Sequence, residues 1–519
     1  MAKTYYVTTP IYYVNDAPHI GHSYTTIAAD VLARYHRAAG LDVRFLTGTD
    51  EHGVKIVKAA GEKGVSPQQL ADEVVVHFQD LWDDLNISYD DFIRTSQARH
   101  EKRVQTLITQ LVDRDEIYLG EYEGWYDEGQ EEFVTESVAR ENDYKSPVND
   151  EPLTRYGEPS YFFRLSKWIP WLIEHIEANP TFVQPVARRN EVLSKCRQGV
   201  DDLSISRLLE KLGGWGIPMP NDPAHSVYVW IDALSNYITA LGMPPIGDEH
   251  DGAFEGHWPA DVHLVGKDIL WFHTVYWPCI LKSLDIPLPK GVFAHGWWTA
   301  EGRKMSKSLG NFVSAEQIRQ ICSEYSRDVY RYVLLRTMAF GADGDFSRNG
   351  LKGLYNTELA NGVGNLLSRT VKMIGKYFDG AVPGAGQADA DAAGVIAAAE
   401  DLVSSAGPAM AACAFHTYLD KVMAVVDATN RFIDATEPFK LAKDPSQRQR
   451  LEMILYTCGE AVRIVLVYLE PFMPETTVRG LDQLGWQRQG RTLDEVGRWG
   501  VLPAGAGVNK GEGLFPRSV

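Results

Sequence analysis

Residues 4–50, TYYVTTPIYYVNDAPHIGHSYTTIAADVLARYHRAAGLDVRFLTGTD, read as one βαβ unit. Tyr5 to Val14 is rich in aromatic and β-branched residues, which suit a pleated surface, and Val43-Arg44-Phe45-Leu46 forms a second short strand running into Thr47-Gly48-Thr49-Asp50. Between the strands Ile20, Tyr24, Ile27, Ala28, Val31, Leu32 and Tyr35 fall at helical spacing, and Gly40 supplies the stop. Two parallel strands joined by a helix open a Rossmann-like, nucleotide-type α/β fold.

Working outward, residues from about 115 to 225 change to aromatic, acidic sequence with turns, such as Glu121-Tyr122-Glu123-Gly124-Trp125 and Ser146-Pro147-Val148-Asn149-Asp150. This reads as a domain inserted into the sheet. Buried-strand patterns return at Asp261-Val262-His263-Leu264-Val265 and Gly291-Val292-Phe293-Ala294-His295. Beyond about residue 347 strand signals stop, and helical patterns run over 351–377, 408–435 and 447–469, with a Gly/Ala/Pro/Asp loop at 379–394. The expected organisation is a Rossmann-like parallel-sheet domain in two halves, 1–115 and 226–346, an inserted domain at 116–225, and a helical bundle with its tail at 347–519.

The 519 residues allow about three domains, and 45% hydrophobic content supplies ample core. Composition excludes a disulfide scaffold, a collagen and a disordered chain. No window approaches the roughly 18 apolar residues of a membrane span, and MAKTYYVTTP carries no signal-peptide pattern, so a cytoplasmic protein without a membrane partner is expected. Five scattered cysteines, none spaced as CxxC, read as free thiols. The formal net charge of −18 argues by itself against nonspecific nucleic-acid binding.

Two motifs carry chemistry. Pro18-His19-Ile20-Gly21-His22 falls where the first strand meets the first helix. A helix N-terminus with unpaired N–H groups suits phosphate oxygens, two histidines add donors, and Gly21 lets a flat base approach. Taken alone, the pentapeptide is also a loop that happens to hold two histidines. Lys304-Met305-Ser306-Lys307-Ser308 follows a buried strand, and its two lysines are mobile charges able to clamp a departing pyrophosphate. A Lys/Ser loop alone is usually solvated surface. Both motifs, in this order on this strand pattern, point to one nucleotide site.

On these residues the chain resembles the class I aminoacyl-tRNA synthetases, whose HIGH and KMSKS signatures stand here as His19-Ile20-Gly21-His22 and Lys304-Met305-Ser306-Lys307-Ser308. Within the class it resembles the methionine branch, through Pro10-Ile11-Tyr12-Tyr13-Val14-Asn15, Gly48-Thr49-Asp50-Glu51-His52-Gly53, Tyr228-Val229-Trp230-Ile231-Asp232-Ala233, Gly266-Lys267-Asp268-Ile269 and Ala360-Asn361-Gly362-Val363-Gly364-Asn365-Leu366, from residue 4 to about 475. The resemblance implies a methionine–tRNA ligase that forms methionyl-adenylate and pyrophosphate from methionine and ATP, then esterifies the terminal adenosine of methionine tRNA, initiator and elongator. It implies a methionine pocket of Ile11, Tyr13, Asp50, Trp230, Ala233, Leu234, Tyr237, Ile269 and His273, with Asp50 on the ammonium and Tyr237 and His273 directing donors at the sulfur. For ATP it implies His19, Gly21 and His22, then Gly266, Lys267, Asp268 and Ile269 on the nucleoside, and Lys304 and Lys307 on the triphosphate, with Mg2+ held by phosphates and water. His19, His22, Lys304 and Lys307 are the implied catalytic groups; no general base is needed, because a carboxylate attacks already ionised. Trp230-Ile231-Asp232-Ala233 is by itself equally an amphipathic helix start, and Asp268 a turn residue. A noncatalytic tRNA-binding paralogue and a synthetase for another amino acid remain the alternatives.

The chain departs from the family pattern in its insertion. Asp127, Gln130, Ser146 and Asn149 stand where many relatives carry zinc-knuckle cysteines, so no zinc and no other protein-held metal is expected, and Trp125, Tyr126 and Phe162 are expected to hold the insertion by packing. The resemblance further implies that Asn365 and Arg369 read anticodon bases and that Phe439, where relatives carry a Trp, stacks on one; a plain hydrophobic contact between helices is the alternative for Phe439. The chain ends soon after the bundle, without a further module, which favours a monomer. Located along the chain, the charge reads differently. Residues 120–151 hold eleven acidic and two basic residues, whereas 346–377 hold five basic and one acidic, so one basic RNA-facing surface on an acidic body is expected.

Overall fold

The computed structural model describes residues 3–130, 132–134, 136–246, 252–300, 303–304 and 312–516. Seven parallel strands make the central sheet: β1 (Thr4–Thr8), β2 (Tyr12–Tyr13), β3 (Asp42–Asp50), β4 (Asp91–Arg94), β5 (Val183–Gln184), β6 (Val262–Gly266) and β7 (Val292–His295). Their order is β2-β3-β1-β6-β7-β5, with β4 on β3 opposite β1. Residues 4–8 pair with 42–46, Val7 and Thr8 with Val262 and His263, and residues 263–266 with 292–295. The strand order reverses at β1, so a crevice opens at the carboxyl ends of β1 and β6.

Period-2 alternation divides these strands between two cores. Val7, Phe45, Leu264 and Phe293 face one, and Tyr6, Leu46, Val265, Val292 and Ala294 the other. The first core takes Ile27, Val31 and Leu32 of α1 (Ile20–Ala38) and continues without a break into the helical bundle. The second takes Val104, Leu107, Ile108 and Leu111 of α2 (Ala98–Asp113) and Trp230, Leu234 and Ile238 of α3 (Val229–Thr239).

The insertion is built on an antiparallel hairpin, Ile117–Asp127 against Thr154–Phe163, paired from Ile117 opposite Phe163 to Tyr126 opposite Thr154. At the knuckle positions, Asp127 accepts the Gln130 N–H at 3.0 Å, Ser146 Oγ accepts the N–H groups of Val148 and Asn149 at 3.1 and 3.3 Å, and Asn149 accepts that of Glu151 at 3.2 Å. The side chains therefore close both turns by local hydrogen bonds. Trp125 packs on Tyr144 at 4.6 Å and Phe162 on Tyr118 at 5.6 Å. Not all of 116–225 stands apart from the sheet: helix Leu165–Ala178 sends Leu172 and Ile176 into the second core, and β5 pairs with β7. A two-residue strand carries no period to read.

Between sheet and bundle, α4 (Arg327–Arg336) holds the fully buried Arg331. Its guanidinium donates to Asp30 of α1 at 2.6 Å and to the carbonyls of Leu85, Pro471 and Phe472 at 3.3, 3.0 and 3.0 Å. Burial works to raise Asp30, and the Arg331 and Arg34 guanidiniums overcome it, holding the carboxyl below its usual range. The bundle comprises α5 (Asn365–Tyr377), α6 (Ala390–Ala411), α7 (Phe415–Thr436) and α8 (Arg448–Leu469), with α5 continuing a helix begun at Arg348 through a wider π-type turn over Tyr355–Gly364. The sequence pattern places one helix at 408–435 and a loop at 379–394; instead α6 begins at Ala390, capped by Asp389 on the N–H groups of Asp391 and Ala392, and the chain breaks at Cys413, whose φ is +50°. Alanine-rich sequence blurs the apolar period there, and Pro408 sits in the last turn, near the end of a helix, not at its start.

Candidate active site

One cavity of about 530 Å3 opens at the reversal point of the sheet and brings the two implied ligand sites together. On the amino-acid side it is lined by Ile11, Tyr13, Asp50, Trp230, Ala233, Leu234, Tyr237, Ile269 and His273, and on the nucleotide side by His19, Gly21, His22, Gly266 and Asp268. Asp50 is the last residue of β3, while Trp230, Ala233, Leu234 and Tyr237 share one face of α3 by their 3–4 residue spacing.

At the first turn of α1 the two histidines cap each other. The Gly21 N–H donates to His19 Nδ1 at 3.0 Å and the His19 N–H to His22 Nδ1 at 3.2 Å. With both Nδ1 atoms accepting, each neutral ring carries its proton on Nε2, where it can donate. Desolvation against the Tyr12 and Phe78 rings, then repulsion from the His19 imidazole, hold His22 well below the usual histidine range. The backbone N–H groups that the sequence suggests for phosphate are partly spent, since Ile20 N–H donates to the Val313 carbonyl at 3.0 Å and Gly21 N–H serves His19. The reason for glycine at 21 is also local: a Cβ there would lie 2.9 Å from His19 Cε1 and displace the ring.

The side-chain wall is fixed by a chain of hydrogen bonds. His273 Nδ1 lies 2.9 Å from the Ile269 carbonyl, so its proton sits on Nδ1, and Nε2 accepts from the Tyr237 hydroxyl at 2.7 Å. Burial pushes His273 down to about 4, so it is neutral. In this arrangement the Tyr237 hydroxyl rests on His273 and the His273 Nδ1 proton on the Ile269 carbonyl. What faces the cavity is aromatic: Trp230 stacks on Phe272 at 3.6 Å, and Tyr237 stacks on the buried His263 at 4.1 Å.

Lys267 does not line the cavity. Its ammonium sits 2.7 Å from both carboxylate oxygens of Asp343 and 4.3 Å from the Trp297 ring, and the ion pair holds Asp343 below its usual value. Trp297 in turn donates its indole N–H to Asp268 at 3.1 Å and lines the cavity while 46% exposed. Of the lysine loop, the Lys304 backbone is described: Arg303–Lys304 pairs antiparallel with Trp298–Ala300, directly beyond β7. Lys307 lies outside the described residues. Downstream of that loop the chain touches the histidines, with Phe312 edge-on to His19 at 5.0 Å and the Ala315 N–H donating to the Pro18 carbonyl at 3.2 Å.

Asn365, which does not line the cavity, is exposed one turn before Arg369 on α5. Arg369 pairs with the exposed Asp434 of α7 at 2.9 Å, and Arg348 with Glu324 at 3.1 Å, so part of the basic stretch is neutralised. Phe439, in the short helix Pro438–Leu441 after α7, is 47% exposed.

The sequence model described as "tRNA synthetases class I (M)" matches residues 5–143 and 142–371. The chain belongs to the methionyl-tRNA synthetase family. Among relatives, methionine–tRNA ligase of Halalkalibacterium halodurans is 46% identical, covering 99% of this chain and 78% of that protein, and that of Streptomyces coelicolor is 45% identical, covering 99% and 97%. A solved structure of Mycobacterium tuberculosis methionyl-tRNA synthetase in complex with methionyl-adenylate superposes with a TM-score of 0.92 at 40% identity, covering 99% of this chain and 100% of that one; the apo form gives 0.87 at 37%. In this methionyl-tRNA synthetase fold Thr25, His295, Trp297 and Phe312 also line the cavity, and sequence reading missed them. His295 Nε2 takes the Thr25 hydroxyl at 2.6 Å. The available signal was position, since His295 ends β7 at the carboxyl edge of the sheet.

Proposed function

We propose that this chain ligates methionine to its tRNA, initiator and elongator. The methionine carboxylate attacks the α-phosphorus of Mg2+-bound ATP, pyrophosphate leaves, and methionyl-adenylate forms; the terminal adenosine hydroxyl of tRNA then attacks the carbonyl and AMP leaves. The observation that carries this reading is the convergence of Asp50, Trp230, Tyr237 and His273 with His19 and His22 on one cavity at the sheet's reversal point.

In this reading the buried Asp50 carboxylate takes the amino acid's ammonium, and the aromatic wall of Trp230 and Tyr237, with Ile11, Tyr13, Ala233, Leu234, Ile269 and His273, encloses the thioether. Sulfur against aromatic rings is worth about 0.3–1.5 kcal/mol. His19 and His22 donate from Nε2 to phosphate oxygens, where charge grows in the transition state. Gly266, Asp268 and Ile269 hold the nucleoside, with Trp297 steadying Asp268. Lys304 and Lys307 take the pyrophosphate, and Lys267 acts by anchoring Asp343 beneath Trp297, not on the nucleotide itself. Mg2+ is bound by the phosphates and enters with them. Asn365, Arg369 and Phe439 meet the anticodon, the insertion keeps its turns without zinc, and a cytoplasmic monomer carrying both sites on one chain is the working form.

Pyrophosphate exchange into ATP, run with each amino acid in turn, tests the assignment. Exchange with methionine is expected, with homocysteine as the strongest competitor, because removing one methylene from an apolar pocket costs only about 1–3 kcal/mol. Exchange with leucine and not methionine, or none at all, would overturn it.

A further inference from the structure

Behind the amino-acid wall lies a buried acid–base cluster that none of the roles above uses. Asp232, on α3 between Trp230 and Ala233, is 1% exposed. Its Oδ2 is 2.7 Å from His52 Nδ1 and its Oδ1 2.7 Å from His100 Nε2. His100, on α2, reaches Thr239 Oγ1 at 2.7 Å through its other nitrogen, so one imidazole braces two turns of α3. His52 stands two residues beyond Asp50, and the residue between them is anchored hard. The Glu51 carboxylate accepts from Thr49, Arg94 and Ser96, its N–H donates to Thr95 at 2.9 Å, and its carbonyl takes the Trp215 indole N–H at 2.6 Å. The end of β3 and the pocket helix are therefore joined through a single carboxylate, with Asp50 on one side of the joint and Trp230, Ala233 and Tyr237 on the other.

The charges around the joint favour a protonated His52. Asp232 of α3, Glu101 of α2 and Glu51 of its own segment face it, Glu101 at 3.8 Å from Nε2, and Arg207 borders the same small space. Burial pulls His52 down; Asp232, then Glu101 and Glu51, overcome it and leave the ring above the ordinary histidine value. Burial likewise raises Asp232, and His52 and His100 more than reverse it.

The geometry points to His52, Asp232 and His100 as positioning residues that set the spacing between the ammonium anchor, Asp50, and the side-chain wall, Trp230 to Tyr237, and so select the length of the amino acid. This rests on the pocket roles proposed above. Selection by an apolar wall is shallow, about 10- to 200-fold per methylene, and an error of about 1 Å in placing a reacting group costs about a hundredfold. A fixed distance between the two ends is what converts a shallow wall into a measure of length.

The test is exchange kinetics with methionine and homocysteine, with the KM for ATP measured alongside. Asp232→Asn should raise the methionine KM about tenfold and lower the methionine-over-homocysteine ratio about tenfold, with the ATP KM within about twofold. His52→Asn keeps a donor at the Nδ1 position and removes the titration. Wild-type methionine KM should rise as pH climbs through the elevated His52 value, where the imidazolium is lost, and the His52→Asn profile should lack that step. Trp230→Ala separates the two ideas. Unchanged methionine KM in Trp230→Ala overturns the pocket roles, whereas a raised KM there with wild-type values in Asp232→Asn overturns only the positioning. Methionine and ATP KM rising together in Asp232→Asn also overturns it. Where Asp232→Asn fails to fold, superimposable wild-type and His52→Asn pH profiles decide against the proposal, and a step confined to wild type decides for it.

Discussion

At the amino-acid end of the cavity, Asp50, Trp230, Ala233, Leu234, Tyr237 and His273 are each at most 7% exposed, and hydrogen bonds fix Tyr237 on His273 and His273 on the Ile269 carbonyl. At the proposed anticodon face Phe439 is 47% exposed, and Arg369 is held by an Asp434 side chain that is 70% exposed. The difference fits what each surface is proposed to recognise. Methionine is small and flexible and brings little binding energy, so the protein supplies a finished mould in a water-poor cavity. RNA brings its own shape, stacking faces and charge, so side chains held by weak surface pairs suffice and can be released on contact.

The largest effect should come from Asp50→Asn. Losing a charge-assisted bond worth about 3 kcal/mol should lower methionine kcat/KM about a hundredfold while tRNA affinity, read by filter binding, stays unchanged. A tRNA defect of similar size would erase the distinction between the two regions. Phe439→Ala should weaken tRNA binding about tenfold, within the 1–3 kcal/mol of a base–aromatic stack, and leave pyrophosphate exchange at the wild-type rate. Full tRNA affinity in that variant would assign Phe439 no stacking role. Smallest is Asp434→Ala, which frees Arg369 from a surface pair worth about 0–1 kcal/mol and should tighten tRNA binding about twofold at low salt, the gain fading as salt rises. Weaker binding instead would mean that Asp434 aims Arg369 at the RNA.

What could be read from sequence followed its periodicities. The β1–α1–β3 unit and the return of strands at 261–265 and 291–295 carry clear alternation, and the strand ends then locate the crevice. The cavity residues carried by motifs were legible through the resemblance of those motifs to the family, not through periodicity. The Lys267–Asp343 ion pair was not, because its partners lie 76 residues apart, and an ion pair between loops leaves no pattern in either. The helix α6 was partly hidden by alanine, whose size makes buried and exposed positions look alike. The hydroxyl and imidazole tautomers at Tyr237 and His273 are set by the Ile269 carbonyl, a backbone group that no side-chain reading reveals.

Arg331 has a consequence for how such chains evolve. Its guanidinium is shared among Asp30 on the helix that begins with the two histidines, Leu85 beside the sheet, and the backbone at Pro471 and Phe472 in the bundle. Exchanging the bundle for another module would leave the Asp30 pair but remove the Pro471 and Phe472 carbonyls, at a cost of about 1–3 kcal/mol for each buried donor left unsatisfied. The bundle is thus not an interchangeable cartridge. On the anticodon role proposed above, new RNA specificity arises by substitution on its outer face, while the inner face stays locked to the sheet.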